Sequence, residues 1–255
     1  LSLPIAAAIA VLLVIVTISY RQTIHAYPNG GGAYIVARDN LGEVAAQIAG
    51  AALLTDYILT VAVSISSGVA QIVSFPAFRG LQPYRVDIAI AVIVFMTIVN
   101  LRGVKESGRI FAVPTYFFLG MMFLTLGTGF VRYLSGALPT VEEVEVVQHH
   151  VVEPLALFLV LRAFSSGCTA LTGIEAISNG ITAFKEPKSR NAAITLTWMS
   201  GILITLFLGI TFLANQIHAM PSESETVISQ LARTVFGAGN PLYFLTLAGT
   251  ALILL

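Results

Sequence analysis

The sequence is short of charge. Of its 255 residues only 10% are Asp, Glu, Lys or Arg, well below the roughly 25% of soluble domains. Hydrophobic residues make up 56%, and the mean hydropathy is +0.88. So few charges cannot clothe a water-facing surface, which excludes a soluble enzyme and a disordered chain. The 13 basic and 13 acidic side chains cancel, so the basic field that nucleic-acid binding needs is missing. A single cysteine, Cys168, rules out a disulfide framework within the chain. What the sequence has instead is apolar length, and it reads as an all-α integral membrane protein.

A helix needs about 20 apolar residues to cross the hydrocarbon core, or somewhat fewer if flanking groups snorkel. Six segments reach that length, at approximately 3–20, 44–74, 86–101, 111–134, 154–182 and 192–215, and a partial seventh runs over 241–255. They form one transmembrane core over 1–255 with no soluble domain. The first twenty residues lack the charged start and the cleavage motif of a signal peptide. Beginning at Leu1 and ending in mid-run at Leu255, the chain reads as truncated at both ends. The segments 44–74 and 154–182 exceed a simple span, so tilt, a break or a stretch outside the bilayer is expected of them.

Charge placement sets the orientation. Arg21 and Arg38, then Arg102, Lys105 and Arg109, then Lys185, Lys188 and Arg190 follow the first, third and fifth spans. Alternate connections hold Arg79, Arg85, Arg132 and Arg233, and two of them hold Glu142, Glu143, Glu145, Glu153, Glu223 and Glu225. Cytoplasmic loops are enriched in Lys and Arg, which places 21–43, 102–110 and 183–191 on the cytoplasmic side of a plasma membrane.

Three charges fall within apolar spans, where a central one costs about 2.5–3.5 kcal/mol on insertion scales. Asp56 lies in LLTDYILTVAVSISSG, and Thr60 and Ser64 follow at four-residue steps on the same helical stripe. A carboxylate and two hydroxyls give an all-oxygen strip suited to a hard cation. The competing role for the hydroxyls is bonding back to their own helix carbonyls. Glu175 lies in FSSGCTALTGIEAISNG, where Gly167 and Gly173, among Ser165, Ser166, Thr169 and Thr172, mark a helix that unwinds in mid-membrane. Unwound segments expose carbonyl oxygens and half-helix ends that transporters use to hold ions; tight packing of small residues is the alternative. Arg162 is the third charge, and its partner is not readable.

Other candidates carry less. His149 and His150 are adjacent in an acidic outside connection and read as a solvated pair rather than a metal site. Cys168 reads as a small packing residue. The glycines at 30–32 lack the G-K-[ST] ending of a phosphate loop. No nucleophile, base and orienting group can be assembled from spacing, so nothing points to an enzyme or a resident cofactor.

The run YRQTIHAYPNGGGAYIVARDNLG resembles the amino acid–polyamine–organocation (APC) superfamily, with its Tyr-Pro and glycine-rich loop. LLTDYILTVAVSISSG and RAFSSGCTALTGIEAISNGITAF are similar to KimA-type potassium/proton symporters of the KUP group. The resemblance covers nearly the whole chain, from the second to the start of the eighth family helix. It implies a LeuT-like fold of two inverted repeats, with 154–182 as the broken helix opening the second. Carried over, the potassium-coordinating positions fall on Asp56, Thr60, Ser64, Thr172 and Glu175, and the remaining ligands lie outside these residues. Glu175 and Asp56 are also the expected proton-coupling groups. The resemblance implies a homodimer for the full-length protein, with the lipid bilayer and a potassium ion as its other partners. The alternative is an amino-acid permease, which shares the glycine loop but has no need of the two acids.

Overall fold

The computed structural model describes residues 2–102, 108–141, 157–222 and 224–255. Ten α-helices follow one another among them: α1 (Ser2–Ala26), α2 (Gly32–Leu41), α3 (Glu43–Val73), α4 (Arg85–Leu101), α5 (Gly108–Leu134), α6 (Leu157–Gly167), α7 (Ile174–Asn179), α8 (Lys188–Gln216), α9 (Val227–Phe236) and α10 (Pro241–Leu254). Short 3-10 helices occupy Pro76–Tyr84, Cys168–Leu171 and Ile181–Ala183, and no strand occurs among the described residues. Lys105, Glu142, Glu143, Glu145, His149, His150, Glu153 and Glu223 lie outside them.

Ser2–Ala26, Glu43–Val73, Pro76–Leu101, Phe111–Leu134, Leu157–Asn179 and Lys188–Gln216 are long and apolar enough to cross a membrane, and Pro241–Leu254 is a shorter apolar helix. Side chains such as Leu54, Ile58 and Phe95 are exposed on them, as expected of surfaces solvated by lipid rather than water. The protein is an all-α, multi-pass membrane protein. Helical hydrogen bonding does not stop where apolarity does, and several helices overrun the spans expected from hydropathy. Arg21, Lys188 and Arg190 therefore lie within helices rather than in loops, and Arg38 lies in the separate helix α2. The 31 residues of α3 form one continuous helix, about 46 Å long, so its excess length is not taken up by a break.

Two helices were invisible to hydropathy. The segment α2 follows the glycine run, and α9 fills the connection before the last span. The apolar residues of α9 recur at 227, 228, 231, 232, 235 and 236, an amphipathic period too short to span. Side-chain caps start both final helices: Thr226 Oγ1 accepts the Ser229 N–H at 3.2 Å, and Asn240 Oδ1 accepts the Leu242 N–H at 2.9 Å.

The chain divides into two compact units. The first takes the described residues of Leu1–Thr60 and Val152–Thr211. Its core joins Leu13 and Ile24 of α1 to Ile174, Ile181, Ala192, Ala193 and Leu196, and α1 packs against α6 and α7. The second takes Val61–Val151 and Phe212–Leu255, where α5, α9 and α10 pack together. There Ala232, Tyr243 and Leu247 form one cluster, and Ile65, Val69 and Ala89 another.

Candidate functional site

The first unit holds a helix interrupted in mid-course. After Gly167 the α-helix tightens into the 3-10 turn Cys168–Leu171. Thr172 is then extended (φ −63°, ψ 137°), Gly173 turns left-handed (φ 93°, ψ −10°), and α7 begins at Ile174. A left-handed residue with a side chain crowds its own carbonyl, which is why glycine occupies this position. Nothing lies within 4 Å of where a Cβ on Gly173 would sit, so the requirement there is one of backbone torsion, not of space.

Glu175 sits in the first turn of α7 and is only 8% exposed. Its two carboxylate oxygens accept the Gly173 N–H at 3.2 and 3.1 Å. The backbone break thus supplies a donor to the acid that follows it. From α1, the half-buried Tyr20 hydroxyl lies within electrostatic reach of Glu175, Tyr57 and Asp56. Two acids more than a hundred residues apart in sequence thus both act electrostatically on one tyrosine. Neither belongs to an ion pair among the described residues.

Hydroxyl groups flank the acids. Thr60, one turn beyond Asp56, is half-buried, as is Thr172 at the break. Thr55 spends its hydroxyl on the Ala51 carbonyl at 3.0 Å, the back-bonding common in apolar helices. Thr60, Ser64 and Thr172 make no such bond with described residues, so their oxygens are available for another partner. Ser64 continues the stripe along α3 but belongs to the second unit. Arg162 is exposed on α6 and forms no ion pair with a described residue. Among the described residues no three His, Cys, Asp or Glu side chains converge as a metal site would require.

Three neighbours of these acids escaped sequence reasoning. Tyr20 and Tyr57 look like ordinary span aromatics, although Tyr57 directly follows Asp56. Asn179 ends α7, and its Nδ2 donates to Tyr57 Oη at 2.6 Å. The glycine run closes on this same residue: Gly31 N–H donates to the Asn179 carbonyl at 3.4 Å. A Cβ on Gly30 would stand 2.9 Å from that carbonyl, and one on Gly32 would overlap Asn179 Oδ1. Close backbone approach explains these glycines, and the Asn-Gly pair at 179–180 was the available signal.

The second unit contains a buried acid of another kind. Glu225 is 7% exposed and receives Arg233 Nε and Nη2 at 3.1 Å each, with Ser229 Oγ donating at 2.8 Å. The sequence places it in a connection, one residue from Ser224 and two from Glu223. In the structure it is a satisfied ion pair that fixes α9, with every strong partner found within the unit.

The comparisons with known proteins agree with this architecture. The chain is 48% identical over 258 aligned positions to the potassium transporter KimA of Bacillus subtilis (strain 168), an alignment covering 99% of this chain and 41% of the relative. The chain therefore spans about two fifths of the length of that curated relative. Its helices, its broken segment and its glycine loop all fall inside the region matched by the sequence model described as "Amino acid permease", which extends over residues 1–255. The chain belongs to the amino acid permease family.

Proposed function

We propose that the full-length protein is a secondary transporter that imports potassium coupled to protons, with Asp56, Thr60, Ser64, Thr172 and Glu175 among its cation ligands. The observation that carries this reading is that Asp56 and Glu175, in spans where charge is costly, both act electrostatically on Tyr20, while Tyr57 beside Asp56 is bonded to Asn179 at the end of the helix that carries Glu175. Two carboxylates facing one space repel, and two species relieve that repulsion: a proton on one of them or a monovalent cation between them. Exchange of one species for the other couples the two fluxes. The free hydroxyls of Thr60, Ser64 and Thr172 supply the neutral oxygens a weakly hydrated cation takes in place of water, and no sulfur or imidazole competes in the stripe of Asp56, Thr60 and Ser64. A relative named as a potassium transporter supports the same ion. Alternating access works by rocking one helix bundle against another around a midplane site, and the interrupted helix at 167–174 belongs to such a design. The proposal is that of a carrier, not an enzyme.

Rubidium uptake by the full-length protein tests the assignment. Asp56→Asn and Glu175→Gln are each expected to lower uptake at least tenfold, the loss of a charge-assisted ligand being worth about 1.5–3 kcal/mol. Normal uptake by both variants overturns it. The family's description keeps an amino-acid substrate as the second reading. A zwitterion's carboxylate has no favourable place beside two acids, so amino acids are expected not to compete with rubidium.

A further inference from the structure

Away from the acids, the first unit carries a cationic cavity of about 510 Å³ walled by Arg21 and His25 of α1 and by Arg190, Ile194 and Trp198 of α8. No acid lines it. A neighbouring cavity of about 450 Å³ shares His25 and Arg190 and adds Lys188. The acid on that second wall, Glu186, already faces Lys188 Nζ at 3.5 Å. Arg21, His25 and Arg190 form no ion pair with described residues. One turn deeper, Thr17 Oγ1 donates to Ser200 Oγ at 2.9 Å and holds the two helices together below the cations.

The order of side chains along α8 is informative. Residues 190, 194 and 198 recur every four positions, so one face presents a guanidinium, then an isoleucine, then the sequence's single tryptophan. Trp198 is 71% exposed and stands about 12 Å from Arg190 along the helix axis. Arg21 and His25 repeat the four-residue step at the end of α1. Cations thus sit at the membrane edge and an apolar, aromatic strip leads from them toward the hydrocarbon. An anionic headgroup joined to an acyl chain has that same arrangement, whereas a free anion has no use for the strip.

We propose that this cavity binds an anionic phospholipid, its phosphate held by Arg21 and Arg190 with His25 beside them and one acyl chain lying along Ile194 and Trp198. By the distribution of basic residues the lipid comes from the cytoplasmic leaflet, where anionic headgroups and basic interhelical pockets meet. Each arginine contributes about a fivefold preference for the anionic headgroup. The site is independent of the transported solute, so its test does not depend on the potassium assignment.

The test uses the full-length protein in vesicles containing a phosphatidylglycerol or a phosphatidylcholine with brominated acyl chains, at equal mole fraction. Trp198 fluorescence is isolated as the difference between wild type and Trp198→Phe. Brominated phosphatidylglycerol is expected to quench at several-fold lower mole fraction than brominated phosphatidylcholine. Arg21→Gln with Arg190→Gln is expected to abolish the difference, and Arg→Lys at both sites to restore much of it. Equal quenching by the two lipids marks ordinary boundary lipid and overturns the proposal. Absence of quenching by both means that protein fills the groove, and overturns it too. Displacement of the brominated lipid by millimolar inorganic phosphate or glycerol 3-phosphate means that the site takes a free anion, and refutes the lipid assignment. The comparison of the two lipids stands even where the arginine variants fail to fold.

Discussion

Replacing Gly173 with alanine tests whether the broken helix positions Glu175. The backbone there has φ 93° and ψ −10°, and a Cβ would meet no atom within 4 Å. The cost of Gly173→Ala is therefore torsional, about 1–2 kcal/mol for an L-residue held left-handed. Some of that strain is relieved by tilting the peptide whose N–H both Glu175 oxygens accept, which moves the acid. If the full strain falls on the occupied site, the apparent KM for rubidium rises about 5- to 30-fold. Gly173→Asn, which tolerates the left-handed region better, is expected to fall between wild type and alanine. Gly167→Ala is the contrasting control: its Cβ would overlap Ile9 Cδ1, a steric cost that Ile9→Ala relieves, whereas no neighbour's truncation rescues Gly173→Ala. Rubidium uptake kinetics and the apparent Tm in detergent read both variants. A Gly173→Ala protein with wild-type KM and Tm refutes the argument that this torsion holds the acid in place.

Further perturbations address the surroundings. Tyr57→Phe and Asn179→Ala each remove one partner of the 2.6 Å bond and are expected to lower stability by about 0.5–1.5 kcal/mol; the double variant should cost little more than either single one, and full additivity of the Tm losses would sink the pairing. Gly32→Ala would drive a methyl into Asn179 Oδ1, so its Tm loss should shrink in an Asn179→Ala background. In the second unit, Arg233→Gln leaves Glu225 buried without its main partner and is expected to cost about 3–5 kcal/mol; a Tm within a degree of wild type would show that the pair is not what fixes α9.

Composition and periodicity were enough to read a multi-pass helical membrane protein, because a scarcity of charge and runs of apolar residues are local properties. The acids at 56 and 175 stood out for the same reason: each is a single expensive residue in an apolar run. Their relation to each other was a different matter. Asp56 and Glu175 are related through Tyr20 and through the Tyr57–Asn179 hydrogen bond, and no spacing rule connects positions so far apart. Hydropathy passed over α2 and α9 because neither can span, and the amphipathic period of α9 was hidden in a connection that also carries acids. The partners of Glu225 were out of view on the same ground. Charge in a polar stretch looks solvated until the fold shows Arg233 and Ser229 closing around it.

The six residues of α7 are too few to hold a helix by propensity alone, since nucleation needs a longer run to be repaid by hydrogen bonds. Its geometry must come from its ends and its packing. At the start, the turned Gly173 donates to Glu175. At the finish, Asn179 is held by Tyr57 through its side chain and by Gly31 through its carbonyl. Between them Ile174 and Ser178 are buried, and Ile174 joins the core with Leu13 and Leu196. The position of Glu175 is thus fixed partly by a glycine loop about 145 residues earlier in the chain, which does not touch the acid. Side chains added to Gly30 or Gly32 should therefore change the apparent KM for rubidium together with stability. Variants of Gly42, where a Cβ meets nothing within 4 Å, offer the comparison: that glycine is left-handed (φ 91°) but lies away from Asn179. Its substitution should lower Tm while sparing KM. An equal effect on KM at positions 32 and 42 would mean that the loop acts only through general stability and that α7 is positioned by its core contacts alone.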